Sequence, residues 1–187
     1  MTAEKPVHIL GISGSLREKS YNTAALRTAQ KLLPGGVTME TFDLAVIPLY
    51  NDDVREKGFP APVDQLRGKI AAADAVLIVT PEYNYSVPGV LKNAIDWASR
   101  PPNQPFDGKP LAIMGASPGA LGTARAQYHL RQIFVFLNAL IINKPEVMIG
   151  SAATRFDAEG NLTDEATRGF IKALLVALAD WTRRLRR

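Results

Sequence analysis

The chain contains no cysteine. That absence removes a disulfide framework, a thiolate nucleophile and any cysteine-ligated zinc or iron–sulfur centre. Histidine is nearly absent as well: His8 and His129 are the only two, too few for most catalytic or metal-binding constellations. No apolar run approaches the roughly 20 residues that a membrane helix needs. Residues 1–6 are polar and lack the hydrophobic segment of a signal peptide, so the expected location is the cytoplasm. Three phosphate- or acyl-handling motifs are also missing. Gly11 is followed by Ile12-Ser13-Gly14, which breaks the dinucleotide pattern G-x-G-x-x-G, no Gly-Lys-Ser/Thr triplet completes a P-loop, and no G-x-S-x-G supplies a hydrolase elbow. Any redox chemistry must come from a bound group.

What is present describes an ordinary globular protein. At 187 residues, 47% of them hydrophobic, the chain is long enough to bury a substantial core, and one domain over residues 1–187 is expected. The net charge is +4, and four arginines crowd the C-terminus: Arg183, Arg184, Arg186 and Arg187. Cations at a helix end complement its dipole. A nucleic-acid footprint would add interleaved aromatics or a known module, and neither is there, so no nucleic-acid partner is expected.

Apolar, β-rich runs recur at residues 7–12, 37–42, 75–80, 111–116 and 147–149, with helical patterns between and after them at 22–33, 63–73, 89–99, 121–137 and 164–185. This alternation argues for parallel strands joined by right-handed crossovers. Runs such as Ala75-Val76-Leu77-Ile78-Val79 are apolar throughout, as strands covered on both faces require. A three-layer, doubly wound α/β fold follows, with ligands expected beyond the carboxyl ends of the strands. The Pro-rich stretches 48–62 and 100–110 read as ordered surface loops.

That geometry selects three loops. The first, GISGSLREKSYN at residues 11–22, combines glycine with Ser13, Ser15 and Ser20, the cation of Arg17, and Asn22, which offers an amide or an N-cap for the next helix. Unpaired N–H groups at a helix start add partial positive charge, so the loop suits a terminal monophosphate. A solvated loop with a capped helix is the plainer alternative. The second loop, TPEYNYSVPG at residues 80–89, sets Glu82, Tyr83, Asn84 and Tyr85 at the strand's edge before Pro88 opens a helix. Its amides and rings suit the rim of a flat heterocycle, although Tyr83 and Tyr85 could equally pack on neighbouring helices or a second subunit. The third is ASPGA at residues 116–120.

Gly11-Ile12-Ser13-Gly14-Ser15-Leu16-Arg17 with Ser20 and Asn22, together with Pro81-Glu82-Tyr83-Asn84-Tyr85-Ser86-Val87-Pro88-Gly89 and Leu91-Lys92-Asn93-Ala94-Ile95-Asp96-Trp97, resembles the NAD(P)H-dependent FMN reductase family, most closely its chromate and quinone reductase branch. The resemblance spans essentially the whole chain. It implies a flavodoxin-like fold with a five-stranded parallel sheet in the order 2-1-3-4-5, bound FMN, and homodimers or homotetramers. It implies that Ser13, Ser15, Arg17, Ser20 and Asn22 hold the phosphate, with backbone contacts from Leu16. Pro81, Glu82, Tyr83 and Asn84 would line the flavin ring, and Ser117 and Gly119, in the less closely matching third loop, would close its other side. Tyr85, Arg125, Tyr128 and Glu146 correspond to subunit contacts.

The implied chemistry is ping-pong. NADH or NADPH passes hydride to the flavin, and quinones or similar acceptors (chromate, azo or nitro compounds, free flavin) take the electrons. No side chain need act as nucleophile, and no metal is expected. Glu82 reads as structural rather than as an acid, His129 as a surface or interface residue, and Phe106 as a candidate lid aromatic over the acceptor pocket. Two alternatives remain open: a flavodoxin-like electron carrier without substrate turnover of its own, and a colourless nucleotide-binding module.

Overall fold

The structure is a computed structural model, and it describes residues 5–186. Residues 1–4 of the polar N-terminus and Arg187 of the C-terminal cluster lie outside the described part. The chain runs β1 (Val7–Ser13), α1 (Tyr21–Lys31), β2 (Val37–Phe42), a 3₁₀ turn (Leu44–Val46), α2 (Asp52–Arg55), α3 (Ala61–Ala72), β3 (Ala75–Val79), α4 (Gly89–Ala98), β4 (Pro110–Ala116), α5 (Ala124–Phe136), β5 (Leu140–Ile141), β6 (Val147–Ile149), a second 3₁₀ turn (Ala152–Thr154) and α6 (Glu165–Leu185).

Every strand pairing in the sheet is parallel. The order β2-β1-β3-β4-β5 is the expected one, with β6 also paired to β4. The strand expected at 147–149 is β6, and a further two-residue strand, β5, precedes it. Leu140 and Ile141 follow the first half of β4, and Val147 to Ile149 follow its second half. The chain between them contains Pro145, which has no amide to donate to a ladder.

Side chains along each central strand alternate between two cores, as a period of two dictates. Ile9, Leu77, Val79, Ala112 and Met114 point into a layer closed by α1 and α6. Leu10, Ile12, Val76, Ile78, Leu111 and Ile113 point into the layer of α3, α4 and α5, whose largest members are Trp97, Phe106 and Phe134. All of β3 and β4 is buried, which is why their sequences show no polar alternation.

Two expectations about loops change. Residues 48–62 hold a one-turn helix, α2, capped by the Asn51 side chain on the Asp53 amide. Residues 100–110 lead into the amino end of β4, the sheet edge opposite the loops that follow β1, β3 and β4. They therefore do not shape a pocket at the carboxyl edge of the same chain. Phe106 is no lid: it is buried and meets Phe134 edge to face at 5.2 Å. Arg67 holds this loop by donating to the carbonyls of Ala98, Arg100 and Pro102.

Two of the C-terminal cations pair within the chain. Arg183 pairs with Asp180, and Arg186 pairs with Asp74 and donates to the Pro6 carbonyl. No helix among the described residues is long and apolar enough to cross a membrane.

Candidate functional site

The loops after β1, β3 and β4 meet around a cavity of about 330 Å³ at the carboxyl edge of the sheet. The first loop supplies Ser15, Arg17, Ser20, Tyr21 and Asn22, the second Pro81, Glu82 and Tyr83, and the third Ala116, Ser117 and Pro118.

The first loop divides its polar groups between building itself and facing the cavity. Ser20, not Asn22, is the N-cap of α1; its Oγ accepts from the amides of Asn22 and Thr23. Asn22 sits in the first turn, 3% exposed. Its side chain donates to the Ala116 carbonyl at 2.9 Å and accepts from the Ala116 amide at 2.8 Å. It therefore brackets the end of β4 and locks α1 to the third loop. Ser13 is likewise internal. Its Oγ contacts Thr23 Oγ1 at 2.9 Å and accepts from the Ser15 amide, and with Leu16 it lines a neighbouring groove on the β2 side. Ser15 and Arg17 face the cavity, and the Arg17 guanidinium is steadied by one bond to the Lys19 carbonyl.

Close backbone approach explains Gly115 near the end of β4. A Cβ there would fall 2.1 Å from the Thr80 carbonyl oxygen and 2.2 Å from Thr123 Oγ1. The second and third loops come together only because that hydrogen is not a methyl group.

The second loop folds into a tight turn. The amides and carbonyls of Tyr83 and Ser86 exchange bonds of 3.0 and 3.1 Å, and Asn84 and Tyr85 take φ of 50° and 65°. Two left-handed central residues define the turn that suits paired antiparallel ends. Asparagine tolerates this conformation, whereas a tyrosine there is strained. Tyr83 and Tyr85 are left 52% and 67% exposed.

Glu82 turns away from solvent. Its carboxylate accepts from the Arg125 amide at 3.0 Å, the Ala126 amide at 3.1 Å and the Arg125 guanidinium at 2.6 Å. It thereby caps α5 from a distant segment, since Thr123 makes no side-chain cap. Burial pushes the Glu82 carboxyl up, and the bonds from Arg125 and the Ala126 amide outweigh burial and leave it below the ordinary carboxylate value. The Arg125 guanidinium also lies over the Tyr85 ring, 3.7 Å from its centroid.

The third loop is tied to the chain after β6. Ser117 donates its amide to the Ile149 carbonyl, and Ser117 Oγ accepts from the Gly119 amide. Asn84 and Gly119 lie in the loops around the cavity but are not among its lining residues. The expected subunit-contact residues fall into two touching pairs, Arg125 on Tyr85 and Tyr128 hydroxyl to Glu146 at 3.4 Å, with Tyr128 half exposed. His129 is at the surface and meets Ser86 Oγ through Nδ1 at 2.9 Å.

The sequence reading missed Tyr21, Ala116 and Pro118 as lining residues. Tyr21 lies between Ser20 and Asn22, and its ring packs on Phe156 with centroids 5.1 Å apart.

The model of the NADPH-dependent FMN reductase family matches residues 7–154, the segment that carries all three loops. The chain belongs to that family. The NAD(P)H-dependent FMN reductase of Pseudomonas aeruginosa is 61% identical over 180 residues, covering 96% of this chain and 97% of the relative. The quinone reductase of Escherichia coli is 46% identical over 183 residues, again with 96% and 97% covered. Among solved structures, the flavoenzyme NAD(P)H:(acceptor) oxidoreductase FerB of Paracoccus denitrificans superposes with a TM-score of 0.86 at 38% identity, covering 95% of this chain and 98% of FerB.

An FMN reductase of this architecture needs a place for a phosphate beside a place for a flat ring, and the donor set fits. A serine hydroxyl, a guanidinium and the start of an 11-residue helix line the cavity together with residues 81–83 and 116–118.

Proposed function

We propose that this protein is an FMN-dependent NAD(P)H oxidoreductase that reduces quinones, with its flavin held in the cavity between the loops after β1, β3 and β4. The observation that carries this reading is the convergence of Ser15, Arg17 and the N-terminus of α1 on the cavity that Pro81–Tyr83 and Ala116–Pro118 complete. Bound FMN supplies the acceptance of hydride from the nicotinamide and its onward delivery to the acceptor.

The protein's own contribution is position and electrostatics. Ser15 and Arg17 hold the phosphate by charge-assisted hydrogen bonds. Ser20 and Asn22 act one step back: the first caps α1 by accepting from the Asn22 and Thr23 amides, and the second fixes that helix against β4. The segment from Pro81 to Tyr83 would border the ring, where a main-chain donor fixed beforehand would favour the charge that arrives on reduction. Exposed Tyr83 borders the open side, where donor and acceptor would alternate. Hydride delivery needs no acid at Glu82, in keeping with a carboxylate already given to α5.

The same reading makes the chain one flavin-binding domain in the cytoplasm. Homodimers or homotetramers are supported by the exposed patch of Tyr85, Arg125, Tyr128 and Glu146. A carrier without turnover is less well supported, because carriers that dock basic partners are acidic and this chain has a net charge of +4.

The test is purified protein incubated with FMN, desalted, and assayed with NADH or NADPH against a panel of quinones. Retained flavin absorbance and parallel double-reciprocal lines are expected. Protein that stays colourless after excess FMN overturns the reading, and flavin that is bound but never reduced by either nicotinamide cofactor favours the carrier.

A further inference from the structure

Glu82 is the acidic residue among those lining the cavity, yet its carboxylate spends all its bonds on α5. An acid beside an electron-accepting ring is unfavourable on its face, because a negative charge opposes the negative charge that reduction brings. Here the acid comes with a cation that is itself held. The Arg125 guanidinium is fixed by Glu82 on one side and by the face of Tyr85 at 3.7 Å on another. The Glu82 side chain is 8% exposed and that of Arg125 35%, so solvent screens the acid little and the cation partly. The pair joins the segment 81–85, strained at Tyr85, to a 13-residue helix whose N-terminus has no local cap.

Resting on the flavin reading given above, we propose that Glu82 and Arg125 are a positioning pair. They hold the turn 81–85 against the flavin ring, and they present the ring with a balanced pair of charges rather than a lone carboxylate. Arg125 is then not merely a surface contact. It acts on the flavin through Glu82, without touching it.

Each partner has its own signature. Arg125→Met leaves an unbalanced carboxylate near the ring, so the flavin midpoint potential moves negative and FMN affinity falls about tenfold with the loosened turn. Glu82→Gln keeps an oxygen acceptor for the helix amides but leaves an unbalanced cation, so the potential moves positive. In the double variant the potential returns close to that of the unaltered protein, while the loss of FMN affinity remains. A purely structural role cannot give shifts of opposite sign that cancel.

The experiment is spectroelectrochemical titration of the FMN-loaded single and double variants, with FMN dissociation constants from flavin fluorescence and unfolding midpoints of the apoproteins. Opposite potential shifts that cancel in the double variant support the pair. Shifts of the same sign, or no shift in either variant with FMN bound, overturn it. Should Arg125→Met fail to fold, Arg125→Lys keeps the charge but loses the fork and the stacking, and must then weaken FMN binding with little movement of the potential; a potential that follows the methionine expectation instead would overturn the proposal. Failure of the unaltered protein to bind FMN would sink the flavin reading itself, a different result from bound FMN indifferent to either substitution.

Discussion

The same parallel strands end in two polar edges, and the edges handle their charges differently. At the amino edge, His8 meets Thr38 and Glu40, Lys69 pairs with Glu40, and Asp74 takes the His8 amide and Arg186. Lys109 there caps the carbonyls of Ala71 and Ala73, and Arg67 gathers those of the 100–110 loop. At the carboxyl edge, Ser15 and Arg17 face a cavity, two consecutive residues are left-handed, and Tyr83 and Tyr85 stand exposed. An edge whose charged side chains are matched in this way has little left for a ligand. An edge that keeps donors and strain in reserve does so where binding can repay it. Charge alone would have misled, because the denser cluster of ionised groups lies at the wrong end of the sheet.

The comparison breaks most severely at Gly115. Gly115→Ala forces a methyl into backbone at the carboxyl edge and should cost about 3 kcal/mol or more, with flavin binding lost along with it. Urea unfolding within about 0.5 kcal/mol of the unaltered protein would show that the second and third loops do not need that approach. Next is Asn22→Ala, which strands the buried amide and carbonyl of Ala116 and should cost about 2–3 kcal/mol together with FMN affinity. A variant of ordinary stability that merely binds FMN poorly would return Asn22 to direct phosphate contact.

Arg17→Ala sharpens the contrast from the other side. FMN affinity should fall by about 1.5–3 kcal/mol in isothermal titration, with apoprotein unfolding changed by less than about 0.5 kcal/mol, as for a surface substitution. Unchanged affinity would remove Arg17 from the cradle.

The smallest effect belongs to the amino edge. Lys69→Met should cost less than about 1 kcal/mol and leave FMN affinity untouched. Its readout is acid sensitivity. The hydrogen bond from Lys69, then that from His8, holds Glu40 below its ordinary value. Burial pushes Asp74 up, but the His8 amide and Arg186 bring it down further. Carboxyls lowered by folding give stability that is present above their unfolded pKa of about 4 and is lost as pH falls through the lowered folded values. Thermal unfolding midpoints should therefore drop below about pH 4, and Lys69→Met should make that drop shallower. An identical acid profile in the variant would dissociate the pair from stability.

Much of this was legible residue by residue. Continuous apolar strands announced a doubly covered sheet, and the first and second loops stood out by composition before any contact was known. The division of labour inside them was not legible. Nothing in Ser-Tyr-Asn says that the serine caps the helix and the asparagine reaches a strand 94 residues away, because both residue types suit either task. Phe106 sat in a Pro-rich loop and read as a lid, yet Phe134 on a helix far along the chain buries it. The short strand at 147–149 was legible, but β5 escaped because two residues are too few to show a period.

The sequence by itself determined the layer architecture, the loops that matter and the family, because these depend on local pattern: which residues repeat apolar character, and which short stretches concentrate hydroxyls, glycine and aromatic rings. Only the tertiary structure decided which polar groups are consumed in holding the site together and which are left to bind. A hydrogen bond between Asn22 and Ala116, or between Glu82 and Arg125, is a meeting of distant segments, and the sheet alone sets the distance between them.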